Sequence, residues 1–151
     1  MSAFLKSWLA IGATLAGLAV VTGAFAAHGI DDFCAKKYKN DGTKSIAGWD
    51  IPVSWKRLQD FKTAAEYQMY HALGMIAVGL LSQTRKKKSF QTAGWSFLGG
   101  IVLFSGSLYV LTLTGQTWWG RVTPFGGLLF IVGWVALAVG TCPCAESNTN
   151  E

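Results

Sequence analysis

Charge is scarce in this 151-residue chain, and its scarcity is local. Only 14% of residues are Asp, Glu, Lys or Arg, and several long windows hold none. The total apolar share of 51% excludes little, because soluble domains of this size are often half apolar. The uncharged windows say more. A hydrocarbon layer roughly 30 Å thick takes about 20 apolar residues as helix. Windows of that size occur at about 8–27, 64–81, 95–113 and 124–141, the second carrying one acid, Glu66, near its start. Backbone amides in lipid must be satisfied within each segment, so helix is the expected state. The sequence therefore predicts an all-α integral membrane four-helix bundle, a single transmembrane domain over 1–151.

Cysteine is also scarce. Cys34, Cys142 and Cys144 are odd in number and few, which excludes a disulfide framework. Two sulfurs one residue apart do not make a metal ligand set, so Cys142-Pro143-Cys144 reads as a turn that ends a helix. No metal site, cofactor motif, nucleotide motif, tandem repeat or low-complexity segment is evident. The net charge of +5 raises nucleic acid as a partner. However, Arg85, Lys86, Lys87 and Lys88 form one short run between apolar windows. Such a run reads as a topology signal facing anionic lipid, and nucleic-acid binding is not expected.

Small residues recur at helical spacing. Gly12 with Ala16, Ala13 with Gly17, Gly23 with Ala27, and Ser96 with Gly100 each make a strip that another helix can approach. Trp8, Trp95, Trp118 and Trp119 fall near window borders, where indole suits the headgroup layer. Trp134 falls mid-window and is expected to pack inside. The polar connection 29–63 contains the turn signal Asn40-Asp41-Gly42. Ser54 is a candidate cap for a short interfacial helix with Trp55, Leu58 and Phe61 on one side, feeding the second span.

Lys6, the apolar run and Ala24-Phe25-Ala26 also have the form of a cleavable signal, which would leave three spans. The run is long for a signal and its small-residue strips suit a packed helix, so retention is expected. Four spans put both termini and the Arg85 linker on one side. The basic count opposes a cytoplasmic placement for that side, with five bases (Lys6 and residues 85–88) against eight in the other loops. The density of charge beside the spans supports it. The expectation is a multi-pass cell-membrane protein with cytoplasmic termini, in which Cys34 and the C-terminal cysteines face opposite compartments.

The second window opens with titratable and polar groups. Tyr67 and Gln68 precede His71 by four and three residues, so the three share a helical face, and Glu66 and Tyr70 form an adjacent pair. An ionisable group inside a membrane helix is costly and is a functional candidate by default. His28 ends the first window near the same border. Further along are Ser105, Ser107 and Tyr109. The plainer assignments are interhelical hydrogen bonds for Tyr67, Gln68 and His71, a close helix crossing at Ser105-Gly106-Ser107 bridged by Tyr109, and a helix start at Thr123-Pro124. His28 and His71 are a conceivable haem pair but lack an attachment motif.

Four separated motifs carry a resemblance: Gly23-Ala-Phe-Ala-Ala-His-Gly29; Tyr67-Gln68 with His71-Ala72-Leu73; Leu103-Phe-Ser-Gly-Ser-Leu-Tyr109; and Val122-Thr-Pro-Phe-Gly-Gly127 with Gly133-Trp134. In that order they resemble the YgdD-like family of small four-helix membrane proteins of unknown function, with bacterial and eukaryotic members. Ala26 departs from a usual glycine, and the first connection is longer than usual. The resemblance implies four retained helices and cytoplasmic termini, and supplies no catalytic role.

Three functions compete. The favoured expectation is a non-enzymatic accessory protein that binds lipid, a membrane-protein partner or a second copy of itself. The second is a small transporter or proton-linked conduit using Glu66, His71 and His28. The third is a quinone- or lipid-directed enzyme with His71 as acid or base.

Overall fold

A computed structural model describes residues 3–84 and 87–142. Arg85 and Lys86 of the basic run, and Pro143 and Cys144, lie outside the described residues. Helix α1, Ala3–His28, is followed by α2, Ile30–Lys37, and by strands β1, Thr43–Ile46, and β2, Trp49–Pro52. Helix α3 then runs over Val53–Thr84. The next long helix is α4, Lys88–Gly100, a π-helical turn at Ile101–Ser105, and α5, Gly106–Thr114. A 3-10 turn, Thr117–Arg121, leads to α6, Thr123–Thr141.

Three of these stretches are long and apolar enough to cross a membrane: Ser7–His28, Lys88–Thr114 and Thr117–Thr141. Helix α3 differs, because Lys56, Arg57, Asp60, Lys62 and Glu66 occupy its first half. It is nonetheless the centre of the fold. One side packs along α1, and another packs against α4, the π turn and α5. Helix α6 completes the arrangement on α4 and the π turn. The core joins Trp8, Met75, Phe90, Phe97, Phe130 and Leu137 across these helices.

Close helix approach rests on glycine. A β-carbon on Gly12 would lie 2.8 Å from the Ala72 carbonyl oxygen, so α1 and α3 meet backbone to backbone there. Gly17 and Gly23 face open space, so the small-residue strip of α1 packs over only part of its length.

The loops follow from local chemistry. Gly115 takes φ 82°, a left-handed conformation that suits glycine, and its amide bonds the Leu111 carbonyl at 2.9 Å to close α5. Proline sits in the first turn of α6, where the leading amides have no helical partner. The Thr123-Pro124 helix start is therefore found as expected.

Four expectations are corrected. The interfacial helix is not separate, since α3 is continuous from Val53 and Ser54 lies in its first turn. The polar connection holds α2 and an antiparallel hairpin as well as the Gly42 turn. The hairpin pairs Ile46 with Trp49 around Ala47 and Gly48, both at positive φ, as a tight two-residue turn of this hand requires. Trp8 is not a border indole: it is buried, donates to Gln91 Oε1 at 3.1 Å, and meets Trp95 edge-on at 5.1 Å. Trp134 is only half covered, with one side against Phe97 at 5.0 Å and 46% of its surface exposed.

Candidate functional site

The Tyr67 to His71 face divides between two environments. Gln68 turns toward α1 and α5. Its amide donates to the Leu15 carbonyl at 2.9 Å, and its oxygen accepts from Tyr109 Oη at 3.0 Å. Tyr109 in turn contacts Thr22 Oγ1 at 3.0 Å. Gln68 and Tyr109 thus form a polar cross-link of three helices. Ser107 makes another, meeting Thr123 Oγ1 at 2.8 Å and donating to the Phe104 carbonyl at 2.9 Å. Of the three residues assigned to interhelical hydrogen bonds, Gln68 makes them, and Tyr109 bridges the helices.

His71 and Tyr67 are placed differently. The His71 ring lies parallel to Phe130 of α6, with centroids 3.4 Å apart and planes 8° apart. Tyr67 stacks on Phe104 of the π turn at 4.6 Å. With Tyr67 and His71 5.9 Å apart, Phe104, Tyr67, His71 and Phe130 form a continuous run of rings. His71 Nδ1 is 2.7 Å from the Tyr67 carbonyl oxygen. A carbonyl can only accept, so Nδ1 carries the proton, and Nε2 of the neutral ring is an acceptor. This tautomer follows from the hydrogen bond.

These rings wall a cavity of about 700 Å³ between α3 and α6. Its remaining lining includes Tyr70, Gly127, Leu128, Ile131 and Trp134. Tyr70, Leu128 and Ile131 are among the exposed large side chains, so the cavity opens on the apolar flank of the helices.

The π turn builds one wall. The Gly106 amide reaches back to the Ile101 carbonyl, which adds a residue to the helical turn carrying Phe104. Such turns often mark functional positions in helices. Ser105 lies in this turn, and its Oγ is buried without a hydrogen-bond partner among the described residues.

His28 and Glu66 do not join this site. His28 is exposed at the end of α1, beside Ala24, Phe25 and Gly29. Glu66 is exposed in a separate hollow with Lys62, Met69, Gly23 and Ala26. The three residues proposed for a conduit therefore line three different hollows. Among the described residues, no three His, Cys, Asp or Glu side chains are grouped to hold a metal ion.

A charged cluster at the start of α3 was not singled out by sequence. Asp60 is buried and pairs with both Lys56 and Arg57, the latter at 3.2 Å. The signal was present as opposite charges three and four residues apart. Above it the polar connection clips onto α5. Tyr38 Oη donates to the Thr112 carbonyl at 2.6 Å, Lys37 Nζ to the Leu113 carbonyl at 2.6 Å, and Thr112 Oγ1 to the Arg57 carbonyl at 3.1 Å. Carbonyls at a helix end need such partners.

Burial pushes the Cys34 thiol and the Tyr38 phenol above their ordinary values of 9.0 and 10.0, with nearby Arg57 partly opposing both. The folded chain thus holds these protons more tightly than the unfolded chain. Their contribution to stability is complete below pH 9 and is lost as pH rises through the folded values. Two results are expected. Denaturation midpoints of the detergent-solubilised protein should begin to fall above pH 9. At pH 8, Cys34 should react with a thiol reagent at least about tenfold more slowly than a free cysteine peptide, because the thiolate is the nucleophile. Equal rates would contradict its burial.

Comparison with known proteins gives a consistent picture. A family model described as a protein of unknown function, DUF423, matches residues 22–127. A UPF0382 membrane protein of Staphylococcus saprophyticus is 41% identical over 137 residues, covering 91% of this chain and 98% of the relative. The UPF0382 membrane protein YwdK of Bacillus subtilis is 39% identical over 136 residues, covering 89% and 95%. No solved structure matches the chain.

Proposed function

The chain belongs to the DUF423 family, and we propose that it is a non-enzymatic accessory protein that receives a membrane amphiphile in the aromatic cavity around His71. The observation that carries this reading is the cavity itself, about 700 Å³ and walled by stacked rings on the apolar flank of the helices. Rings offer flat, apolar contact to a chain or ring from the bilayer. With Nδ1 engaged by the Tyr67 carbonyl, the uncharged form of His71 offers Nε2 as an acceptor. The titratable lining is His71, Tyr67 and Tyr70, without a carboxylate or thiol, which favours binding over acid–base chemistry.

In this reading α3 is the second of four spans. Its last eighteen residues, Tyr67 to Thr84, carry no charge; α1, α4 and α5 pack along it, and Phe130 of α6 stacks on its His71. The protein lies in the cell membrane with both termini cytoplasmic. The named relatives are bacterial membrane proteins, which agrees with that setting.

Native mass spectrometry of the protein extracted gently from membranes tests the reading. One amphiphile per chain, surviving activation that strips surface lipid, is the expected result. A bare chain under the mildest conditions would oppose it.

A further inference from the structure

A second cavity, of about 390 Å³, lies beside the first and toward the polar end of α3. Phe104 and Pro124 line both, so the two meet at the π turn and the start of α6. The second cavity is charged at one side and apolar at the other. Lys44 of β1 and Lys56, Arg57 and Asp60 of α3 supply the charge. Leu108 and Leu111 of α5 supply the apolar wall.

The charges do not cancel. Asp60 is shared by Lys56 and Arg57, while Lys44 makes no ion pair among the described residues. Three bases against one acid leave the cavity positive. Arg57 Nε is also buried without a hydrogen-bond partner among the described residues. The start of α6 adds the positive end of a helix dipole on the Thr123-Pro124 side. An anion is the complement of this arrangement.

The apolar continuation identifies what kind of anion. One continuous helix carries both Arg57 and His71, about 21 Å apart along its axis. A small free anion would use only one end of that path. Resting on the proposed role of the His71 cavity, we infer that the two cavities form one site for an anionic phospholipid. Its headgroup lies beside Lys44, Lys56 and Arg57, and its apolar body passes Phe104 into the ring-walled cavity. The hairpin has a role in this arrangement, because it carries Lys44 to the headgroup end.

Lipid retention measured by native mass spectrometry tests the assignment. Phosphatidylglycerol and phosphatidylcholine with identical acyl chains are offered to the purified full-length protein. The wild type should prefer phosphatidylglycerol by about tenfold, and K44Q/K56Q should abolish the preference, since each base near an anionic headgroup is worth about 1 kcal/mol, or about fivefold. The double variant leaves Arg57 to pair with Asp60. Lys44→Gln alone, on the exposed hairpin, gives an intermediate preference and serves if the double variant does not fold.

Equal retention of the two lipids by the wild type would overturn the headgroup assignment while leaving the His71 cavity standing. Displacement of phosphatidylglycerol by inorganic phosphate alone would overturn the amphiphile in favour of a free-anion site. Full retention of both lipids by Gly127→Leu, which fills the ring-walled cavity, would instead remove the cavity reading on which the inference rests.

Discussion

Gly126→Ala is expected to be the most damaging single-methyl change in the chain. A β-carbon at Gly126 would stand 2.4 Å from the Phe104 backbone nitrogen and 2.8 Å from its Cα. No side-chain rotation relieves a contact with backbone. Helix α6 must move away from the π turn, which pulls Thr123 from Ser107 and Phe130 from His71. Overpacking of a tight interior costs about 1–3 kcal/mol, and the upper end applies where both partners are backbone. Thermal unfolding of the solubilised protein should show a midpoint lower by at least about 5 °C. An unchanged midpoint would mean that α6 does not approach the π turn this closely.

The adjacent glycine should behave in the opposite way. At Gly127 an added β-carbon would meet only the Phe104 ring, at 3.9 and 4.0 Å, which is ordinary contact. The position lines the aromatic cavity. Gly127→Leu therefore puts three further carbons into the cavity without forcing α6 off the π turn. Its thermal midpoint should stay within about 2 °C of the wild type. Retained amphiphile should fall at least about tenfold, since an occupied cavity cannot also hold the ligand. If Gly127→Leu unfolds instead, the space beside Phe104 is not open. If it folds and retains the same amphiphile, the ligand sits elsewhere.

The helices were legible because lipid makes one demand on every spanning residue. The four apolar windows, uncharged but for Glu66 in the second, fall inside α1, α3, α4 to α5, and α6. Their lateral partners were not legible. Trp8 looked like a border residue because indole favours headgroups. It is buried because Gly94, far away in sequence, leaves room for its ring: a β-carbon at Gly94 would come within 2.7 Å of it. The hairpin was hidden because Ala47 occupies a position where asparagine, aspartate or glycine is the usual signal. The π turn has no side-chain signature in Ile101–Ser105.

The candidate site shows the same division. Tyr67, Gln68 and His71 were grouped by spacing, and all three do lie along α3. However, successive residues turn by about 100°, so Gln68 points some 60° away from His71. That angle sends Gln68 to Leu15 and Tyr109, and His71 to Phe130. Spacing defines a face but does not name the helix opposite it. Phe104 and Phe130 carried no polar signal, yet they supply the rings on which Tyr67 and His71 stack. The prominence of His28 and Glu66 came from their charge-bearing side chains alone, and the fold leaves both exposed in other hollows.

Occupancy of the ring-walled cavity is tested most directly by photolabelling in native membranes, with phosphatidylglycerol bearing a photoactivatable group on its acyl chain. Peptide mapping should find adducts concentrated on Tyr70, Leu128 and Ile131, at the mouth of the cavity. They should be several-fold above those on Val20 and Val139, which are equally exposed on the outer helix surfaces. Uniform labelling of all five positions would contradict a bound amphiphile around His71.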